Sequence, residues 1–272
     1  MEIVLTGTGS PLPDPDRAGP STLIRAGDTQ VLIDAGRGVV MRLAGAGTLP
    51  GFLSGVLITH LHSDHICALN DVITTHWVLT RGATLPILGP VGTAAFVERQ
   101  LHALEFDIGY RIAHHEALTV GPQVAVTELE PGDAFTVGDI AVTTAATAHA
   151  PVHPTIGFRL EHDGSTAALV GDTVPCDGVD ELARETDAYV QTVIRPDVVK
   201  LIPNDMIQDI LDYHSSVADA ARTAARVGAR RLVLTHMVPP PTAETHAEWI
   251  ELAAEHYDGE IVMGGDLTTV TV

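Results

Sequence analysis

Residues 59–65 read Thr59-His60-Leu61-His62-Ser63-Asp64-His65 and place three histidines and one aspartate within six positions. The apolar residues 55–58 before them predict a strand, and the apolar positions spaced three and four apart after them predict a helix. Imidazole and carboxylate groups are the ligands that zinc and similar divalent cations accept. The stretch therefore predicts a metal site where a strand ends and a helix begins.

The spacing within this stretch predicts two adjacent metal positions. Side chains two residues apart in an extended segment point the same way, so His60 and His62 can reach one cation together. Asp64 and His65 lie where the chain turns into a helix, and they can face a second cation beside the first. A single buried histidine is usually a core residue, but four potential ligands at this spacing indicate a metal site.

Two cations need further ligands, and strand ends elsewhere in the chain supply three candidates. His149 follows an apolar run that ends at residue 148, Asp172 follows residues 167–171, and His236 follows residues 232–235. Each is weak evidence alone, but sheet proteins build their sites at strand ends, and the three share that placement. His153 is the alternative ligand near His149, which we prefer because it directly follows the strand.

Short β-rich runs alternate with helical runs over the whole chain, and no Pro-, Gly- or Ser-rich linker interrupts them. This pattern predicts one domain over residues 1–272, with an α/β fold in which helices cover sheets. Strands are predicted at residues 2–6, 21–25, 31–34, 56–59, 85–88, 123–128, 140–145, 155–161, 167–171, 231–235, 260–263 and 268–272. Helices are predicted at residues 38–46, from 64 through 77, and at 93–104, 177–184, 217–227 (capped by Ser215 or Ser216) and 243–256.

The composition narrows the classes of partner. The formal net charge is −20, from 15 Lys+Arg against 35 Asp+Glu, whereas nucleic-acid binding normally needs a basic face. The charge argues against nucleic acid as a partner without excluding it. No apolar run approaches the roughly 20 residues of a membrane helix, and the start lacks the features of a signal peptide, so we expect a cytoplasmic protein without a membrane partner. Cys67 and Cys176 form no CxxC pair and are predicted to be reduced, packed thiols outside the metal set.

Together these motifs resemble the metallo-β-lactamase-fold hydrolases, and most of all the branch of ribonuclease Z with its arylsulfatase-like and phosphodiesterase-like relatives. Besides residues 60–65, the segments that carry the resemblance extend over nearly the whole chain. They are Thr6-Gly7-Thr8-Gly9-Ser10-Pro11, Leu32-Ile33-Asp34-Ala35-Gly36, His149, Gly171-Asp172-Thr173, His214-Ser215-Ser216 and Leu234-Thr235-His236. The resemblance implies an αββα four-layer sandwich of the metallo-β-lactamase type, with two sheets face to face and helices outside.

The resemblance also implies a role for each candidate ligand in holding two Zn²⁺, with Mn²⁺ or Fe as alternatives. It assigns His60, His62 and His149 to one zinc. It assigns Asp64, His65 and His236 to the other, with Asp172 bridging the two. Asp64 would also act in catalysis by orienting the nucleophile. His214 would donate a proton to the leaving group; the alternative for His214 is a solvent-exposed residue at the start of a helix.

The implied activity is that of a dinuclear zinc-dependent hydrolase of ester bonds, and two departures bear on its substrate. Residues 150–171 are too few for the arm with which the tRNA-processing enzymes grip tRNA, and Val190-Gln191-Thr192-Val193 stands where their His-Glu-Ala-Thr motif is expected. We therefore expect a small anionic or ester substrate, first of all a phosphodiester. The alternatives are a lactonase or arylsulfatase on the same metal site, a genuine tRNA 3′-processing endoribonuclease, and a non-catalytic metal-binding protein.

Two further expectations concern the oligomeric state and the pocket wall. The relatives suggest a homodimer. The pocket wall is predicted to draw on Trp77, Phe106, Tyr110 and segment 197–213.

Overall fold

A computed structural model describes residues 1–272 and contains fourteen strands in two sheets. The strands are β1 Glu2–Gly7, β2 Ser21–Ala26, β3 Thr29–Ile33, β4 Gly55–Leu57, β5 Leu85–Pro90, β6 Val124–Leu129, β7 Ala134–Val137, β8 Ile140–Ala146, β9 Ile156–His162, β10 Ser165–Leu169, β11 Ala188–Ile194, β12 Arg231–Val238, β13 Glu260–Met263 and β14 Thr269–Thr271. The α-helices are α1 Val39–Gly45, α2 Ser63–Ile66, α3 Leu69–Thr80, α4 Thr93–Ala103, α5 Glu105–His114, α6 Asp177–Ala183, α7 Pro196–Val199, α8 Asp205–Gln208, α9 Val217–Val227 and α10 His246–Ala254. Short 3-10 helices lie at Pro50–Phe52 and Asp209–Asp212.

Both sheets have seven strands and a mixed topology. The first sheet runs β14-β1-β2-β3-β4-β5-β6, antiparallel as far as β3 and parallel from β3 to β6. The second runs β13-β12-β11-β10-β9-β8-β7, parallel as far as β10 and antiparallel beyond it. Parallel neighbours need crossover connections, which helices provide here, and these place the helices on the outer faces.

Three apolar clusters separate four layers. A cluster of 20 buried residues lies between the two sheets, one of 16 packs the first sheet against α1–α4, and one of 21 packs the second sheet against α6, α9 and α10. Successive side chains of a strand point to opposite faces of the sheet. Ile3 and Leu5 of β1 therefore lie in the central cluster, while Val4 packs towards the helices. The layers are therefore helix, sheet, sheet and helix, and the predicted αββα sandwich is confirmed.

The helix boundaries agree with the sequence in one place and differ in another. Ser216 caps α9 as predicted, because its hydroxyl accepts the backbone N–H of Asp219 while the Asp219 carboxylate accepts the backbone N–H of Ser216. The single helix predicted from residue 64 through 77 is wrong. α2 ends at Ile66 and α3 begins at Leu69, so the histidine-rich stretch at residues 60–65 ends in its own short helix.

The sequence analysis missed α5, α7, α8, β7 and β11, besides the two 3-10 helices, and α7 and α8 have only four residues each. α5 contains no buried residue, so it contributes no side chain to the buried core. β7 has only four residues, and its position depends on pairing with β8. β11 is buried throughout, yet Gln191 and Thr192 interrupt its apolar run.

Some side chains lie elsewhere than predicted. Trp77 is only 1% exposed and its indole N–H donates to the carbonyl of Val120, so it is a core residue and not part of a pocket wall. Both thiols are free, but Cys67 is exposed instead of packed. None of the helices combines the length and the apolar character that crossing a bilayer requires.

Candidate metal centre

Loops that follow strands of the two facing sheets carry the first six predicted ligands. The histidine-rich stretch follows β4 and continues into α2, His149 follows β8, and Asp172 follows β10. His60, Asp64, His65, His149 and Asp172 are all at most 4% exposed. The strand ends therefore bring polar residues from distant parts of the sequence into one buried cluster.

The seventh, His236, reaches the cluster through an irregularity of its strand. The sequence predicted that the strand ends at residue 235, but β12 continues to Val238. Thr192 pairs with Thr235 and Ile194 pairs with Val238, so β12 contains one extra residue between these pairs. His236 has a φ of 48°, which is rare for a residue with a side chain. Such a bulge re-aims a side chain, and here it turns the imidazole towards the other ligands.

The candidate ligands fall into two groups. One is His60, His62, His149 and Asp172, the other is Asp64, His65 and His236, and within each group the ligand atoms lie within 4.8 Å of one another. His62 Nδ1 is 3.1 Å from His149 Nε2. In the second group Asp64 Oδ2 is 3.2 Å from His236 Nε2 and 3.6 Å from His65 Nε2. Ligands about 2.1 Å from a tetrahedral zinc stand roughly 3.4 Å apart, so both groups have the right span.

Asp172 lies between the two groups. Its Oδ2 atom is 3.8 Å from Nε2 of both His60 and His149, on one side. On the other side it is 3.4 Å from Nε2 of His65 and 3.5 Å from Nε2 of His236. A carboxylate in this position can bind two cations at once.

Several atoms of the cluster are buried without any hydrogen-bond partner. They include His60 Nε2, His65 Nε2 and Asp172 Oδ1. Leaving a polar group buried and unpaired costs about 1–3 kcal/mol, and more if it is charged. His60 Nε2 and His65 Nε2 both face Asp172, and the three side chains belong to the two groups of candidate ligands. Two divalent cations would satisfy them, so the residues present fit a dinuclear centre.

A second set of contacts, on the side away from the two candidate positions, orients the candidate ligands. The carboxylate of Asp34 lies 2.8 Å from Nδ1 of His65 and accepts the backbone N–H and the hydroxyl of Thr59. Thr59 Oγ1 is 3.0 Å from Nδ1 of His60, and the carbonyl of Tyr213 is 2.9 Å from Nδ1 of His149. Such contacts select the tautomer and orient the ring of a metal-binding histidine.

Sequence reasoning assigned no role to Asp34, although Leu32-Ile33-Asp34-Ala35-Gly36 contributed to the resemblance. An aspartate directly after the buried strand β3, followed by two small residues, was the available signal. Asp34 has a φ of 59°, so the backbone itself turns at this residue. The contact of Tyr213 with His149 had no such signal, because it uses a backbone carbonyl and any residue could supply it.

The histidines of the cluster differ in the direction in which their pKa values are shifted. Burial lowers the pKa of His60 and His62, and it lowers the pKa of His149 to about 4. Burial opposes protonation of His65 and His236 as well, but the carboxylate of Asp172, helped by neighbouring aspartates, outweighs it and raises both pKa values. Burial alone would raise the pKa of Asp172, yet the charges of His236 and His65 hold it well below its usual range.

His214 belongs to this cluster. It is 9% exposed, its Nε2 lies 3.3 Å from Asp172 Oδ2, and its Nδ1 lies 3.1 Å from the carbonyl of Ile210. The alternative of a solvent-exposed residue at a helix start is therefore wrong. His153 is exposed and lies outside both groups, whereas its competitor His149 is inside.

A family model described as a β-lactamase superfamily domain matches residues 29–237. The chain belongs to the metallo-β-lactamase superfamily. Within this superfamily it resembles curated proteins named ribonuclease Z along its full length. It is 53% identical to the one from Mycobacterium bovis (strain BCG / Pasteur 1173P2) and 51% identical to the one from Mycolicibacterium paratuberculosis (strain ATCC BAA-968 / K-10). Both alignments cover 100% of this chain and 98% of the relative, which confirms the ribonuclease Z branch.

Solved structures of superfamily members share the fold. The metallo-β-lactamase fold protein YhfI from Bacillus subtilis matches with a TM-score of 0.78 at 19% identity, covering 99% of this chain and 98% of its own. The short form of human tRNase Z matches with a TM-score of 0.73 at 23% identity, covering 100% and 99%. Membership of this superfamily and branch makes the chain a metal-dependent hydrolase of ester bonds.

Proposed function

We propose that this chain is a dinuclear endoribonuclease of the ribonuclease Z type, which hydrolyses a phosphodiester bond of RNA. The observation that carries the proposal is a complete set of seven candidate ligands, with His214 beside them, in a chain 53% identical from end to end to a ribonuclease Z. The sequence analysis gave this activity as an alternative to hydrolysis of a small ester. The relatives support it better than the compact ester that we expected first, and they weaken the argument against nucleic acid.

The short segment between His149 and Asp172 does not argue against an RNA substrate. Residues 150–171 contain β9 and β10, which pair as an antiparallel hairpin. The relatives named ribonuclease Z are almost as short as this chain, because the chain covers 98% of their length. The lack of a long arm therefore does not separate it from them.

For the metals, we propose that His60, His62 and His149 hold one cation and that Asp64, His65 and His236 hold the other, with Asp172 shared. A set dominated by imidazole suits zinc, and Mn²⁺ or Fe are the alternatives. When bound, a pair of such cations supplies Lewis acidity and makes hydroxide available near neutral pH.

His214 is placed to give a proton to the leaving oxygen. Its two ring nitrogens each face an acceptor, the Ile210 carbonyl and the Asp172 carboxylate. The ring nitrogen that faces Asp172 can carry a hydrogen on the side of the cluster. A proton on Nε2, on the side of the cluster, can then move to the departing oxygen.

Asp64 has a second role besides ligation. Burial would raise the pKa of its carboxyl, but the hydrogen bond from His236 and the charge of His65 lower it, so the carboxylate form prevails at neutral pH. A buried carboxylate acceptor at the centre of the cluster can orient the attacking nucleophile through a hydrogen bond.

A second candidate is hydrolysis of a small phosphodiester by the same residues. The net charge of −20 favours it, because long-range repulsion slows the approach of a polyanion more than that of a compact monoanion. Aryl sulfates and lactones are further substrates that the same site could take.

A panel of substrates tests these proposals. Zinc-loaded protein is assayed with a tRNA precursor carrying a 3′ trailer, bis(p-nitrophenyl) phosphate, p-nitrophenyl sulfate and a homoserine lactone, with Asp172→Ala as the inactive control. We expect the largest kcat/KM for the tRNA precursor. Turnover of bis(p-nitrophenyl) phosphate alone would establish the second candidate, and two bound zinc ions without any turnover would indicate a non-catalytic metal-binding protein.

Three remaining expectations are also proposals: one domain over residues 1–272, a cytoplasmic location and a homodimer. Gel filtration with light scattering measures the mass of the protein in solution. A mass near 57 kDa, about twice the 28.7 kDa of the chain, is the result expected for the dimer.

A further inference from the structure

His236 has a buried ring nitrogen that no protein group satisfies. Its Nε2 faces Asp64 and Asp172, but its Nδ1 has no hydrogen-bond partner although the residue is only 1% exposed. In His60, His65 and His149 the corresponding Nδ1 atom does have an oxygen partner. Metal-binding histidines almost always donate their second N–H to a carboxylate, a carbonyl or a water.

A small cavity adjoins this histidine. It has a volume of about 30 Å³ and lies between the two sheets beneath the metal centre, with Thr22 of β2 on one wall and Thr192 and Thr235 on the other. Only four of its thirteen lining residues are hydrophobic. The polar ones include His65, Asp34 and His236 itself.

The size and the lining of this cavity suit water. Apolar cavities stay dry, whereas a polar cavity with two to four hydrogen-bonding groups holds ordered water, at about 10–15 Å³ for each molecule. Threonine hydroxyls can both donate and accept, and the Asp34 carboxylate can accept. The cavity therefore has room and partners for one or two water molecules.

We propose that this cavity is a binding site for ordered water, and that one of these waters accepts the Nδ1–H of His236 and so positions its Nε2 for the second metal. The inference rests on the proposed metal centre. It makes Thr22 a positioning residue, which acts on the metal through the water and His236 without touching either the metal or the substrate.

The first test is a crystal structure of the zinc-loaded full chain at a resolution that shows ordered water. We expect a density peak about 2.7–3.2 Å from Nδ1 of His236 and within hydrogen-bond distance of at least one lining hydroxyl. A dry cavity, or a protein group in contact with Nδ1, would overturn the proposal whatever the variants do.

The second test is the affinity for zinc at the weaker of the two positions, measured by competition with a chromophoric chelator. Thr22→Val keeps the shape of the side chain and removes its hydroxyl, and Thr22→Ile also fills part of the cavity. We expect both variants to bind the second zinc about 10-fold more weakly or worse, in line with the usual effect of outer-sphere changes. Thr186→Val is the matched control, because Thr186 is a buried threonine whose hydroxyl bonds the Ala183 carbonyl away from the cluster.

The outcomes separate this inference from the proposed function. If the wild-type protein binds no zinc, both fail. If Thr22→Val and Thr22→Ile bind two zinc ions as tightly as the wild type and Thr186→Val do, the positioning role of the water and of Thr22 is disproved while the dinuclear centre stands.

Discussion

The carboxylate of Asp34 lies 2.8 Å from Nδ1 of His65, and both side chains are almost completely buried. The same carboxylate accepts the backbone N–H of Thr59 at 2.9 Å, so it links Thr59, at the start of the histidine-rich stretch, to His65 at its end. In the proposed metal centre, Asp34 would therefore act only through its neighbours.

Asp34→Asn should weaken zinc binding at the position of Asp64, His65 and His236 by about 10- to 100-fold, because an amide is a poorer acceptor for the His65 ring. Titration with zinc against a chelator measures this. Asp187→Asn is the control, since Asp187 also accepts backbone and hydroxyl groups, from Thr166, but lies away from the cluster. Equal zinc affinity in the two variants would remove Asp34 from the account.

Asp172→Asn and Asp64→Asn should differ in metal content. Asp172 contacts both groups of ligands, so its replacement should reduce the content from two zinc ions to one or none and lower kcat/KM by about 10³-fold or more. Asp64 belongs to one group only, and Asp64→Asn should keep the first zinc. Elemental analysis after gel filtration distinguishes them, and two zinc ions retained in Asp172→Asn would contradict a bridging role.

His214→Ala should leave the zinc content at the wild-type value and slow turnover by about 10²- to 10⁴-fold for a substrate with a poor leaving group. The loss should be much smaller with bis(p-nitrophenyl) phosphate, whose p-nitrophenolate departs without needing a proton. Exposed His153→Ala serves as the control and should match the wild type. Equal losses on both substrates would argue against proton donation, and loss of zinc would show that His214 is a ligand.

Zinc uptake should release protons from one group of ligands and not from the other. The pKa values of His65 and His236 are raised, so in the metal-free protein these rings keep their protons to a higher pH than an ordinary histidine and must lose them to bind zinc. His60, His62 and His149 have lowered pKa values and are already neutral.

The affinity of the second position should therefore rise more steeply with pH than that of the first, and zinc binding there should release more protons. Calorimetry in buffers of different ionisation enthalpy counts the protons. The same small release in both binding steps would show that the carboxylates do not hold these rings protonated.

The sequence predicted most of the site because its ligands follow simple local rules. The spacing of His60, His62, Asp64 and His65 is a local property, and His149 and Asp172 each follow a run that is recognisable as a strand. The alternation of apolar residues likewise indicated sheets covered by helices, which the structure confirms.

What the sequence could not predict depends on long-range contacts. His236 was predicted from a strand end, but it reaches the cluster through a bulge defined only by the pairing of β12 with β11. The contact from the carbonyl of Tyr213 to His149 carries no side-chain signal. The cavity beside His236 arises from threonines on strands of both sheets, and their proximity exists only in the folded chain.

The central claim is that seven side chains from distant segments hold two metal ions on either side of Asp172. Diffraction from crystals of the zinc-loaded protein, recorded on both sides of the zinc absorption edge, tests it most directly. The account predicts two anomalous peaks, one among His60, His62 and His149 and one among Asp64, His65 and His236, each in contact with Asp172. A single peak, or peaks outside these two groups, would contradict it.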